Sequence, residues 1–395
     1  MWNTCGRSWG AGTGMLIPSG QAAGGATLSV YFMRHARLAA GLLIGTGLLI
    51  TLVWFQRRRP VPLPTAPLRV LVYGAGVQGS LYAARLHGRG HEVTLLARGT
   101  RLSELRAHGV ELDDLVSGQR YRSTVSVTER LDPEDSYDLA LVTVRRDQID
   151  SVLPALAASQ VPTIVFFHNH ANGSESLTSA VGAGRVLLGF PGAGGSREVG
   201  GRVRYALIAQ QPTTLGEPSG ERTPRLEQLT GLLRDAGFPV ETSLHMDAWL
   251  RSHAVFVTAV SGALYQAGGH AAALAASPES VLHVVRAVGE GFRALRALGL
   301  AGHPLNLRVI FEWVPPPLAA LYWRRFFSLP LAEDILARHA RVAGGEMLAL
   351  VRDLQGVIGP DEVPALRGLW AAVERSVEDQ RSAGSGPLFP RVVLP

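Results

Sequence analysis

Gly74-Ala75-Gly76-Val77-Gln78-Gly79 places three glycines at the spacing with which a backbone closes around a diphosphate. In such a turn the first glycine permits the tight reversal and the second lets the chain approach the anion. The third lets the following helix pack closely on the preceding strand, and that helix directs its free N–H groups at the same anion. About twenty residues on, where a carboxylate would hold a ribose 2′-hydroxyl, the chain reads Leu96-Ala97-Arg98-Gly99-Thr100-Arg101. No acid stands there. Arg98, with Arg101 in support, suits a 2′-phosphate, so the expected cofactor is NADP and the residues expected to hold it are Gly74, Ala75, Gly76, Val77, Gln78, Gly79 and Arg98.

Two other sets of residues have the chemistry of a reaction centre. Arg145 ends the apolar run Tyr137–Val144, and His168-Asn169-His170 follows the run Pro162–Phe167. Histidine exchanges protons near neutrality, whereas asparagine offers a donor and an acceptor for positioning. Every one of the 38 basic side chains is arginine, which excludes a lysine Schiff base, a lysine general acid and a Walker-A lysine. The single Cys5 leaves no internal disulfide, no cysteine-bearing zinc site and no thiol nucleophile in the folded part.

These residues need elements to carry them. Leu68–Tyr73 reads as a strand, Ser80–Arg89 as a helix ended by Gly90, and His91–Leu96 as the next strand, which is the setting a dinucleotide turn requires. The two later apolar runs deliver Arg145 and Asn169 at strand ends, where doubly wound sheets bind their ligands. Val110–Val127 reads as a hairpin region. Residues 190–216 are expected to complete the sheet, with Thr223–Ala236 helical and Val240–Thr242 a last strand. From Asp247 the pattern is helical, over about 247–266, 278–298, 330–355 and 361–380.

The expected fold is therefore α/β: an N-terminal Rossmann domain over 68–243, then an all-α domain over 244–395 for substrate and dimerisation, a homodimer being the expected assembly. Residues 1–37 read as a disordered leader, with Met33 a candidate start, and 57–67 as a proline-rich linker. Between them the uncharged run Leu38–Phe55 covers about 27 Å as a helix and is closed by Arg57-Arg58-Arg59. A transmembrane helix over 38–56 is expected, anchoring the protein with its folded part on the cytoplasmic side. The net charge of +6 resides in the six arginines of residues 1–60, leaving 32 basic against 32 acidic side chains beyond, so nucleic acid is not an expected partner.

The succession of the glycine turn, Asp138-Leu139-Ala140-Leu141-Val142-Thr143-Val144-Arg145-Arg146-Asp147-Gln148, the Asn169 turn and Trp249-Leu250-Arg251 resembles the ketopantoate reductase (2-dehydropantoate 2-reductase) family. The resemblance runs from about Leu68 to about Ala271. It implies that Arg145 stands at a cofactor-contacting lysine and Asn169 at an asparagine touching the nicotinamide ribose and the substrate. It puts Arg251 at the position of the catalytic lysine and Val255 at an asparagine one helical turn later. The family's substrate-holding glutamate has Glu346 as its nearest counterpart, about one turn beyond the expected place.

The resemblance thus implies reduction of a 2-oxo acid or related carbonyl by NADPH on a small-molecule substrate. Arg251 would orient the carbonyl or carboxylate, but arginine polarises without donating a proton, which leaves His168 and His170 as the proton donors. His253, two residues from Arg251 on a helix, is expected to point elsewhere. The aromatic, proline-interrupted stretch Trp313–Phe327 reads as the wall of an apolar pocket, a membrane-facing surface or core. The alternative reading is a non-catalytic protein of the same fold in which NADP occupancy regulates a partner.

Overall fold

In Arg69–Tyr73 (β1) four of five side chains are buried, with Val70, Leu71 and Val72 fully enclosed. A strand buried on both faces is the mark of a parallel sheet covered by helices. The computed structural model describes residues 66–382, apart from 209, 301, 303 and 304. The expected transmembrane run, the leader and nearly all of the linker lie outside the described residues. Among the described residues no helix is long and apolar enough to cross a membrane.

After β1 come β2 (Glu92–Leu96), β3 (Val110–Asp114), β4 (Arg120–Ser123), β5 (Ser126–Thr128), β6 (Leu139–Val142), β7 (Ile164–Phe167), β8 (Val186–Phe190), β9 (Ala193–Arg197), β10 (Val203–Leu207), β11 (Thr213–Gly216) and β12 (Val240–Thr242). Eight of them form one sheet in the order β12-β11-β8-β7-β6-β1-β2-β5. All its pairs are parallel except β11 with β8.

The segment expected to complete this sheet divides. Only β11 joins it, whereas β9 and β10 pair with the β3–β4 hairpin in a second sheet, ordered β4-β3-β10-β9. Gly200 and Gly201, both at φ near +89°, turn the chain from β9 back into β10. The second sheet covers the helix α1 (Val77–His87): Val110, Leu112, Val203 and Tyr205 share a core with Leu81, Tyr82 and Leu86. The helix behind the glycine turn is thereby enclosed between two sheets.

The main sheet's helices are α2 (Gly99–His108), α3 (Ile149–Ala158), α4 (Glu175–Val181) and α5 (Pro224–Asp235). Beyond β12 the described chain holds helices and no strands: α6 (Met246–Gln266), α7 (Ala271–Ala276), α8 (Pro278–Ala297), α9 (Pro316–Phe327), α10 (Gly344–Val357) and α11 (Pro364–Ser382), besides shorter pieces. The architecture is a Rossmann-like α/β layer followed by a helical part, built around one core of α6, α8, α9, α10 and α11 side chains.

Two helical expectations need correction. The stretch 330–355 is interrupted, because short pieces over Pro330–Val342 precede α10 and Ala343 departs from helical geometry. Conversely, the prolines at 315–317 start a helix. Pro316 and Pro317 occupy the first turn of α9, where no backbone N–H needs an intrahelical partner. Within that aromatic stretch Trp323 and Phe327 enter the core, while Trp313 (61% exposed) and Tyr322 (52%) face outward.

Candidate active site at the strand ends

The glycine turn has the geometry its spacing implies. Gly74 sits at φ +113°, a backbone region closed to most side chains. A Cβ on Gly79 would lie 1.8 Å from Gly74 O, so helix and strand meet there in direct backbone contact. A Cβ on Gly76 would meet nothing within 4 Å, so this side of the turn is open. No side chain caps the start of α1, which leaves its first-turn N–H groups directed at that opening. Thr143, just past β6, donates to Gly74 O at 2.8 Å and fixes the turn from below. Gln78 reaches across to Ala193 O at 2.6 Å.

Of the two arginines beyond β2, only Arg98 is placed at the surface, where its Nη2 donates to Tyr73 Oη at 3.2 Å. Arg101 is 7% exposed and fully engaged. It donates to Ala75 O at 3.1 Å, to Ser80 Oγ at 3.0 Å and to Gly201 O at 2.7 Å, and pairs with Glu104 at 3.2 Å. A guanidinium spent on bracing the glycine turn cannot also support a 2′-phosphate. The expectation for Arg101 is corrected accordingly.

The residues past β7 alternate in direction, and this separates two groups. Asn169 points toward the helical part and joins a buried network. Its Nδ2 donates to Glu346 Oε1 at 3.1 Å, and its Oδ1 accepts from His253 Nδ1 at 3.0 Å. The opposite amide orientation would set Oδ1 against the carboxylate, so the network itself fixes the orientation and the His253 tautomer. Glu346, 3% exposed, stands in the first turn of α10. Burial works to raise its carboxyl, but His339, Asn169 and Arg145 outweigh that and hold it below the usual range. His339 Nε2 is 3.3 Å from Oε2, near enough for an ion pair but not aligned as a hydrogen bond.

Burial drives His253 down to about 3, so it is neutral at ordinary pH. Its ring stacks on Trp249 at 5.3 Å and lies 4.0 Å from the Phe190 ring. The expectation that His253 points away holds relative to Arg251 but missed Asn169. The signal was the four-residue spacing from Trp249, which puts the two rings on one helical face.

Two contacts close α10 onto the Rossmann half beside this network. Arg146 grips Asp353 with two bonds of 2.9 and 3.2 Å. Asp147 approaches the helix start so closely that a Cβ on Gly345 would come within 2.7 Å of Oδ2. Arg145 pairs with Asp147 at 3.2 Å and donates to Val342 O at 3.3 Å.

His168 and His170 take the other side of the segment. His170 Nε2 is 3.3 Å from Asp247 Oδ1, and Ser174 donates to Asp247 Oδ2 at 2.7 Å. Both rings therefore face away from the Asn169 network in which they were expected to supply a proton. Arg251 is also on this side. Its Nε donates to Ala171 O at 2.9 Å, and its Nη2 lies 2.7 Å from where a Cβ on Gly173 would stand. Val255, one turn further, is fully buried against Gly291. Arg251 thus braces the loop that carries Asn169 and does not join the Asn169–Glu346 pair.

Residues 70–220 match the family described as ketopantoate reductase PanE/ApbA. Over that stretch the chain is similar to this family. The curated 2-dehydropantoate 2-reductase of Archaeoglobus fulgidus is 28% identical over 193 residues, 49% of this chain. The match spans 62% of that relative's length. The solved 2-dehydropantoate 2-reductase of Geobacter metallireducens GS-15 superposes with a TM-score of 0.64 at 20% identity, over 78% of this chain and all of the other. A D-mandelate dehydrogenase in ternary complex with NADH and anilino(oxo)acetate gives 0.60 at 15% identity, over 79% of this chain and 100% of that one. At such identities the structural likeness establishes the fold.

Proposed function

We propose that this protein is an NADP-dependent oxidoreductase that reduces a 2-oxo acid or a related carbonyl to the hydroxy compound. The observation that carries the reading is the placement of Asn169. It follows a strand two places from the glycine turn in the sheet and is bonded to a buried carboxylate from the helical part.

The residues present fit a dinucleotide: Gly76 leaves room for a pyrophosphate and the start of α1 offers free N–H groups. Arg98 is the cation for a 2′-phosphate, and Arg145 faces the ribose or phosphate from the end of β6. When bound, the nicotinamide supplies the hydride. Asn169 positions substrate and ribose, and Glu346, ionised and enclosed, accepts a substrate hydroxyl or amide. The alkoxide left by hydride addition needs a proton. His339 is the histidine beside Glu346 at the accessible edge, and in this account it takes the role first expected of His168 and His170.

Related folds carry both 2-dehydropantoate 2-reductase and D-mandelate dehydrogenase names, and both names denote chemistry between a 2-oxo and a 2-hydroxy acid. The test is NADPH oxidation followed at 340 nm with a panel of aliphatic and aromatic 2-oxo acids. Turnover of one of them supports the proposal. Tight NADPH binding without oxidation of any candidate replaces it with the regulatory reading.

A further inference from the structure

His168 and His170 have no part in the proposed reaction, yet their surroundings are specific. On an extended segment residues two apart share a face, and both rings line one small cavity with Arg146, Asn172 and Ser176. They are 5% and 2% exposed, and each keeps a buried Nδ1 without a hydrogen-bond partner. Buried polar atoms are rarely left unpaired, and two adjacent ones ask for a shared partner.

His170 is oriented from behind. The Asp247 carboxylate accepts from Ser174 Oγ and lies 3.3 Å from His170 Nε2, so Nε2 carries the proton and Nδ1 presents a bare lone pair. A carboxylate behind an imidazole whose other nitrogen is bare is the arrangement of metal-ligating histidines. The two ring centroids are 5.1 Å apart. Two imidazoles on one tetrahedral ion, with metal–nitrogen bonds of ~2.1 Å, have centroids about 5 Å apart. Arg146 on the cavity wall has its charge offset by Asp353 at 2.9 Å and Asp150 at 4.0 Å.

We propose that His168 and His170 form a two-histidine site for a divalent transition-metal ion of the zinc type, on the side of the loop opposite Asn169. Nitrogen donors favour such an ion over magnesium or calcium. Among the described residues no group of three or more His, Cys, Asp or Glu is disposed to hold a metal. The rest of the shell therefore comes from water and the side-chain oxygen of Asn172 or Ser176. The ion would tie the segment past β7 to the start of α6 through Asp247, a structural role independent of the reductase reading.

Cobalt(II) titrated into the metal-free full chain tests this, because a tetrahedral site gives cobalt a visible absorption band. The expected result is one equivalent bound and displaced by Zn²⁺. It is unchanged in His108→Ala and weakened roughly tenfold or more in His168→Gln and in His170→Gln. No band with the wild type, or a band that persists unchanged in both glutamine variants, overturns the site. If neither variant folds, X-ray absorption of the zinc-loaded wild type decides: two imidazole ligands support the site, and any other number or a thiolate ligand refutes it.

Discussion

Asn169, two residues past a sheet strand, donates its side-chain N–H to Glu346, 177 residues later in the chain, at 3.1 Å. Together with the Arg146–Asp353 pair, this bond holds α10 against the strand ends of the Rossmann half. Asn169→Ala leaves the Glu346 carboxylate and the His253 N–H short of a partner inside the protein. The expected cost is about 2 kcal/mol in unfolding free energy, together with loss of turnover. Glu346→Gln keeps an acceptor for Asn169, so it should leave stability nearly unchanged while lowering kcat/KM. Equal stability losses in both variants would show that the pair serves only to hold the fold.

The glycines of the turn separate folding from binding. Gly79→Ala drives a methyl into Gly74 O and should prevent stable folding. Gly76→Ala meets nothing in the protein and lies at φ −75°, which alanine adopts freely. Its expected effect is an unchanged melting temperature with NADPH affinity reduced by about tenfold or more, since the methyl occupies the space of the pyrophosphate. Calorimetric titration and thermal unfolding of the same samples check both halves.

In the proposed reading Arg98 carries the cofactor preference without help from Arg101. Arg98→Glu should raise the KM for NADPH, leave that for NADH little changed, and move the preference by about tenfold or more, the worth of one charge-assisted hydrogen bond. An unchanged ratio of the two KM values would mean that Arg98 is a solvated side chain.

The buried histidines set an acid limit on stability. Burial holds His253 at about 3 and His168 well below its free value, so each takes up a proton when the chain unfolds in mildly acidic solution. For a base with a depressed folded pKa, stability is full above the unfolded value and declines as pH falls below ~6.5. Metal-free wild type should lose stability between pH 6.5 and 5, and His253→Gln should remove roughly 1.4 kcal/mol per pH unit of that dependence. Parallel stability–pH curves for wild type and variant would contradict the burial of His253.

What was readable in the sequence was local. The glycine turn, the strand ends carrying Arg145 and Asn169, and the change to helices after Thr242 follow from spacings within about thirty residues. The rest depends on contacts between distant segments. Arg101 looks like any exposed arginine until Gly201 comes within 2.7 Å, and β9–β10 looks like more of the main sheet until it meets β3. His253 lies two residues from Arg251 in sequence, whereas its partner Asn169 is 84 positions away. The alternation that separates His168 and His170 from Asn169 was already legible as a period of two. Only the structure shows what each side faces.

Hydride transfer at the strand ends can be followed by isotope tracing. NADPH carrying deuterium at both C4 positions of the nicotinamide is incubated with the full chain and a 2-oxo acid, and the hydroxy acid is weighed by mass spectrometry. The expected product is one mass unit heavier, formed by the wild type and strongly reduced in Asn169→Ala. Saturable NADPH binding with no deuterium in any product across the panel would contradict that transfer.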